Sequence, residues 1–200
     1  MKTIIFDFGN VVGFFDHRRT LRRLTPHTDL TRDEMMACVY DSVVEDEYER
    51  GVISTADALG KIHALWRLRC DLDFLHQSVA DIFWPNPEVC GLVPRLRPRY
   101  RILLGSNTND IHARQFRRQF ADVLARFDAL VLSFEIGCRK PSAGFYAHCQ
   151  SLAQADPNEI VFIDDLPANI EAAKAHGWHG IVYRPENGLA DKLRRLGVDV

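Results

Sequence analysis

TIIFDFGN, residues 3–10, decides the fold. The run Thr3–Phe8 is almost continuous in β-branched and aromatic side chains, broken only by Asp7, and Gly9-Asn10 then turns the chain. A strand with no polar alternation is buried on both faces, as in a parallel sheet covered by helices. Four further runs share this character: Tyr100–Gly105, Ala129–Phe134, Ile160–Ile163 and Gly180–Tyr183. Helix-like segments separate the last four. Strands alternating with helices predict a Rossmann-like α/β core, a parallel sheet with helices on both faces.

Residues from about 15 to 85 break this rhythm. They contain no good strand but several helix starts. Thr31-Arg-Asp-Glu34 and Ser54-Thr-Ala-Asp57 read as capping boxes, and Asp71 as the cap of a third helix. Gly51 follows Glu49-Arg50 as a helix C-terminal glycine. Pro85 and Pro87 mark the return to the α/β part. The expected organisation is a core of residues 1–14 and 86–200 with an inserted helical domain at 15–85.

Composition narrows the function classes. The chain has 200 residues, 46% of them hydrophobic and 26% charged, with a formal charge of −2. That charge gives no broad field for nucleic acid or an anionic membrane. The paired arginines (Arg18-Arg19, Arg22-Arg23, Arg117-Arg118, Arg194-Arg195) read as solvated helix faces. Five cysteines at wide spacings, with no C-x-x-C, fit neither a disulfide framework nor a zinc site and suit a reducing compartment. With no leader-like or membrane-spanning run, the expectation is a cytoplasmic protein, monomeric or homodimeric.

Ligands of open parallel sheets bind beyond the carboxyl ends of the strands. Asp7, Gly9 and Asn10 follow the first strand. Ser106 and Asn107 follow the second, Arg139-Lys140-Pro141 the third, and Asp164-Asp165 end the fourth. Three carboxylates brought to one edge repel one another unless a cation joins them. Oxygen-only ligands suit Mg2+, which takes one or two carboxylates plus water and phosphate oxygens. A lysine and a serine beside them can hold a phosphoryl group, and an aspartate can attack it.

These four motifs together resemble the haloacid dehalogenase-like hydrolase superfamily over nearly the whole chain. IIFDFGNVV resembles its first motif, LLGSN its second, RKP its third and FIDDLPANIEAA its fourth. The resemblance implies Asp7 as nucleophile, Ser106 as the phosphate-binding hydroxyl and Lys140 as the group steadying both. It implies phosphate contacts at Phe8, Gly9, Ser106, Asn107 and Lys140. It implies Mg2+ held by Asp7, the Gly9 carbonyl, Asp164 and Asp165, with Asp165 as the direct ligand of that pair. The substrate would be a small phosphorylated metabolite.

One position departs from the pattern. Phosphatases of this family carry a general acid-base aspartate two residues after the nucleophile, and here that position is Gly9. Such a group is worth about 10²–10⁴-fold in rate. A leaving group that needs less protonation, such as a hexose 1-phosphate, fits this gap, and the first and fourth motifs also resemble a subgroup containing α-D-glucose-1-phosphate phosphatases. Asp16 is one candidate replacement acid. Asn169, one turn after Asp165, either orients that carboxylate or faces solvent. The acidic run Glu45, Asp46, Glu47, Glu49 with Arg50 reads as a solvated helix face or as the place of a cap residue that contacts substrate, without saying which residue that is. A 2-haloacid dehalogenase and a non-catalytic phosphometabolite-binding protein stay open as alternatives.

Overall fold

The computed structural model describes residues 1–40 and 42–200. Five parallel strands form the main sheet: β1 (Thr3–Phe6), β4 (Arg101–Ser106), β5 (Ala129–Leu132), β6 (Ile160–Asp164) and β7 (His179–Val182). Their order is β5-β4-β1-β6-β7. The chain leaves β1 for β4 on one side and reaches β6 on the other. The sheet therefore reverses at β1, where open α/β sheets form their ligand crevice.

Strand periodicity divides the core in two. Ile4, Phe6, Ile102, Leu104, Val161 and Ile163 pack into one cluster. Their neighbours Ile5, Leu103, Phe162 and Val131 pack into another on the opposite face. Successive side chains of a strand point to opposite faces, so each continuous run feeds both clusters. Helices α6 (Pro87–Leu96), α7 (Asp110–Gln119), α8 (Ala121–Leu124), α9 (Ser133–Ile136), α10 (Ala143–Ala153), α11 (Pro167–Ala175) and α12 (Leu189–Arg195) complete the α/β part.

Two strands stop two residues short of the sequence expectation, whereas the other ends shift by one residue at most. The first strand stops at Phe6 because the Phe8 N–H turns back onto the Asp7 carboxylate at 2.7 Å. The third stops at Leu132 because the Ser133 hydroxyl bonds the main chain of Thr108 in both directions, at 2.9 Å each. Both interruptions use polar groups at the carboxyl edge.

Among the described residues, the intervening segment holds five α-helices: α1 (Arg18–Leu24), α2 (Arg32–Val39), α3 (Val43–Glu49), α4 (Thr55–Leu65) and α5 (Leu72–Ala80). A short antiparallel pair missed in the sequence, β2 (Gly13–Phe15) and β3 (Phe83–Pro85), closes its two ends. Three-residue strands carry too little periodicity to stand out. Thr31 and Glu34 form the full capping box. Ser54 accepts from the Asp57 N–H at 3.1 Å, but the Asp57 carboxylate takes the Ser54 hydroxyl at 2.7 Å, not its N–H. Aspartate is one methylene shorter than glutamate and does not reach back. The helices bury a core of their own around Leu21, Met35, Ile62, Trp66 and Leu75, joined by Ile111 from α7.

Trp66 anchors that second core, 1% exposed, with its indole N–H donating to the Met35 carbonyl at 2.8 Å. Replacing it with alanine removes the ring and leaves a cavity, a change that costs about 3–5 kcal/mol. Urea unfolding of Trp66→Ala should show a loss of that size.

Candidate active site

The carboxyl ends of β1, β4 and β6 bring Asp7, Ser106 and Asp164 to one point at the sheet reversal. Lys140, in the loop between α9 and α10, closes the group from above. Its ammonium donates all three protons: to Asp7 Oδ1 at 2.8 Å, Asp164 Oδ2 at 2.7 Å and the Gly105 carbonyl at 2.9 Å. Lys140 is 3% exposed, and the rings of Phe145 and Phe162 lie 5.8 and 5.4 Å from its nitrogen. Asn107 fixes the loop itself. Its side chain accepts the Lys140 N–H at 2.7 Å and donates to the Lys140 carbonyl at 3.0 Å. The Asn107 side chain is thus committed to the loop, which leaves only its main chain for a ligand.

The acidic pair divides its labour. Asp164 is fully buried and saturated: Lys140, the Leu166 N–H at 2.8 Å and Asn169 at 3.0 Å on each oxygen all donate to it. Asn169 therefore neither faces solvent nor orients Asp165, as the sequence suggested. It sits in the first turn of α11, which Pro167 opens, and there overhangs Asp164. Asp165 receives Asn10 Nδ2 at 3.0 Å. Asn10 has φ of 55°, a left-handed conformation that asparagine tolerates and that aims its amide across the loop. Ser106 donates to the Asn107 carbonyl at 3.2 Å and does not cap α7, whose cap is Asn109.

Asp7, Asp164 and Asp165 each place an oxygen within 4.8 Å of the others. Burial pushes Asp7 up to about 8, with the charges of Asp164 and Asp165 adding to the rise and Lys140 opposing it. Burial also raises Asp165. Lys140 is raised by the two carboxylates it bridges, which outweigh its own burial, so it stays a cation. Once Asp7 ionises, three carboxylates against one ammonium leave two negative charges in excess, which a cation would balance. The donor set is oxygen only, and its atoms lie within 4.8 Å of one another, compact enough for one hard ion. The site fits one hard divalent ion.

Beside this group lies a cavity of about 60 Å³ lined by Gly9, Phe15, His17, Glu45, Glu49, Phe83, Ser106, Asn107 and His112 among others. The helical segment supplies one wall and the sheet edge the other. A Cβ on Gly9 would come within 2.9 Å of Phe15 Cε1. The aromatic ring fills the space a side chain at position 9 would need. Asp16 is absent from this wall. It caps the first turn of α1, accepting the Arg18 N–H at 2.9 Å. The acidic run on α3 is not uniformly solvated either. Glu49 is 14% exposed, 2.8 Å from the Arg139 guanidinium. Its side chain faces inward because α3 ends at Glu49 and the chain then turns at Gly51, which has φ of 66° and packs on the Phe134 carbonyl. The Gly51 signal was visible in the sequence, but not the face it would turn to the core.

The family model for haloacid dehalogenase-like hydrolases matches residues 1–177. The chain belongs to that family. A curated D-ribitol-5-phosphate phosphatase of Bacteroides thetaiotaomicron is 24% identical over 204 residues, 99% of this chain and 98% of the relative. A flavin mononucleotide hydrolase of Arabidopsis thaliana is 34% identical over 64 residues, 32% of this chain and 26% of that protein. A solved enzyme of the same family from Bacteroides thetaiotaomicron, in complex with magnesium and inorganic phosphate, superposes with a TM-score of 0.84 at 22% identity. The match covers 97% of this chain and 100% of that one. At such identity the likeness shows the fold. Among the described residues of the hydrolase, no helix is long and apolar enough to cross a membrane.

The cluster predicts a pH dependence of stability. Asp7 titrates near 3.8 when unfolded and at about 8 in the folded hydrolase without metal. The folded state therefore binds the extra proton between these values, and stability is lost as pH rises through them. Chemical denaturation at fixed pH without divalent ions should show stability falling from about pH 4 to about pH 8. Lys140→Met should unfold more easily by about 3–5 kcal/mol at neutral pH, as expected when one side of a buried pair is removed. That deficit should shrink as acid protonates the carboxylates.

Proposed function

We propose that the hydrolase cleaves a small phosphomonoester with Mg2+, through an aspartyl-phosphate on Asp7. The observation that carries this reading is the bridge from Lys140 to Asp7 and Asp164 at the sheet reversal, with Asp165 beside it. Asp7, Asp165 and the Gly9 carbonyl would hold the ion, and Asp164 would position Lys140, since its own oxygens are already saturated. Bound there, Mg2+ neutralises charge on the phosphoryl oxygens. The rest follows from the chain's own groups. Lys140 aims Asp7 and favours its ionised form against the effect of burial, and its charge also favours the phosphoryl oxygens. The Ser106 hydroxyl gives up its weak 3.2 Å contact to bond a phosphoryl oxygen. The main-chain N–H groups near Phe8, Gly9 and Asn107 complete the cradle. Asp7 attacks phosphorus, the ester oxygen departs, and water then releases phosphate from Asp7.

The near full-length relative that acts on D-ribitol 5-phosphate supports a polyol or sugar phosphate as the substrate class. A hexose 1-phosphate is a second member of that class. A cavity of about 60 Å³ is far smaller than the several hundred Å³ usual for a ligand pocket, so the helical segment lifts to admit such a group. The segment acts as a cap over the phosphoryl site. A dehalogenase would not need three clustered carboxylates, and a pure binding protein would not need a saturated lysine held on a buried aspartate.

Phosphate release from p-nitrophenyl phosphate, D-ribitol 5-phosphate, glucose 1-phosphate and phosphoglycolate tests the reading. Turnover should require Mg2+, stop with a chelator and vanish in Asp7→Asn. Asp7→Asn turning over these esters like the parent would sink the phosphoenzyme.

A further inference from the structure

The proton chemistry at this site has no donor where the family places one. Position 9 is glycine, and the Phe15 ring occupies the volume a side chain would take. Four ionisable side chains from other elements line the same cavity as Gly9, Ser106 and Asn107: His17, Glu45, Glu49 and His112. His112 has both ring nitrogens engaged, one with Asn109 at 3.1 Å and one with the Val79 carbonyl at 3.2 Å. Burial also pushes it down to about 3, so it carries no transferable proton. Burial pushes His17 down to about 4, and it offers no acid at neutral pH.

Glu49 differs from both. Arg139, the residue before Lys140, lies 2.8 Å from its Oε2, yet off the line of an N–H bond, so that oxygen is buried without a hydrogen bond among the described residues. The end of α3 closes on itself and lies against α9. The Gly51 N–H bonds the Tyr48 carbonyl at 3.1 Å, and the Val52 N–H bonds the Glu47 carbonyl at 2.8 Å. A Cβ at Gly51 would meet the Phe134 carbonyl oxygen at 2.3 Å, so only glycine permits this approach. Arg139 also reaches Asp46 Oδ1 at 3.3 Å, one turn earlier on α3.

We propose that Glu49 is the general acid and base of the hydrolase, supplied by the helical segment in place of the side chain that Gly9 lacks. This rests on the phosphoenzyme reading above. In the first step Asp7 bonds to phosphorus, the bond from phosphorus to the ester oxygen breaks, and that oxygen takes the Glu49 proton to leave as an alcohol. In the second step water bonds to phosphorus and returns its proton to Glu49. The bond from phosphorus to Asp7 breaks, and its electrons restore the Asp7 carboxylate. Burial raises Glu49 to about 7, with Glu45 and Asp46 adding to the rise and Arg139 and Lys140 opposing it. A carboxyl near neutrality is present in both forms and so can give and take one proton in turn.

The test compares the parent, Glu49→Gln, Glu49→Asp and Asp7→Asn in Mg2+. The probes are p-nitrophenyl phosphate and whichever alkyl ester of the panel above is turned over fastest. Glu49→Gln should lose about 10²–10⁴-fold in kcat on the alkyl ester. On p-nitrophenyl phosphate, whose phenolate leaves without a proton, it should give a burst of one equivalent followed by slow turnover. The ionisation near pH 7 in the parent rate should vanish in Glu49→Gln, and Glu49→Asp should recover part of the rate. Glu49→Gln matching the parent on the alkyl ester overturns the assignment. So does a parent rate with no ionisation within about a unit of pH 7, a measurement that needs no variant to fold. If Asp7→Asn is inactive while Glu49→Gln is normal, Glu49 alone is wrong. If Asp7→Asn is as active as the parent, the phosphoenzyme falls and the role of Glu49 falls with it.

Discussion

One buried ammonium group holds the centre together. Lys140 contacts Asp7 and Asp164 within 2.8 Å and the Gly105 carbonyl at 2.9 Å, and so ties three parallel strands at their carboxyl ends. A buried lysine without partners would shed its proton, and buried aspartates without partners would take one up. Each charge here is tolerable only because the others are present. The surrounding groups reinforce that balance. Asn107 clamps the main chain of Lys140, and Asn169 grips both oxygens of Asp164. The excess negative charge that remains gives the site its affinity for a divalent cation.

The same loop links the two parts of the molecule. Arg139 precedes Lys140 and reaches Asp46 and Glu49 on α3. The contact between the helical segment and the sheet is therefore made one residue away from the ammonium group. On the opposite side, Ile111 of α7 packs into the core of the helical segment, and Tyr48 Oη accepts the Ile111 N–H at 3.2 Å. The first of these contacts holds Glu49, which lines the cavity, so the seat of α3 also shapes the cavity wall.

Much of this was legible in the sequence. Continuous apolar runs gave the parallel sheet because strands covered on both faces have no polar side to display. Asp7, Ser106, Lys140 and Asp164-Asp165 were legible because chemistry clusters at strand ends. What escaped notice depends on facing. Asn169 was placed over the wrong aspartate, since sequence spacing alone does not set which carboxylate a helix overhangs. Glu49 was assigned with Glu45, Asp46 and Glu47 to a solvated face, although a left-handed glycine two residues later turns it inward. The β2–β3 pair was too short to carry periodicity.

The exchange of Gly9 and Phe15 has a consequence for timing. A general acid at position 9 would ride on the sheet edge, beside the nucleophile whether the cap is open or closed. An acid on α3, as proposed for Glu49, would ride on the helical segment. With Glu49 as the acid, proton transfer would require the end of α3 to lie against Phe134 and Arg139, the arrangement seen around the cavity of about 60 Å³. Closing the helical segment would then expel bulk water and deliver the proton together, and opening it would leave Asp7 without an acid. A substrate too large to permit closure would bind its phosphoryl group yet fail to lose it. Selectivity would then appear in kcat more than in KM, as expected when binding energy is spent on assembling the site.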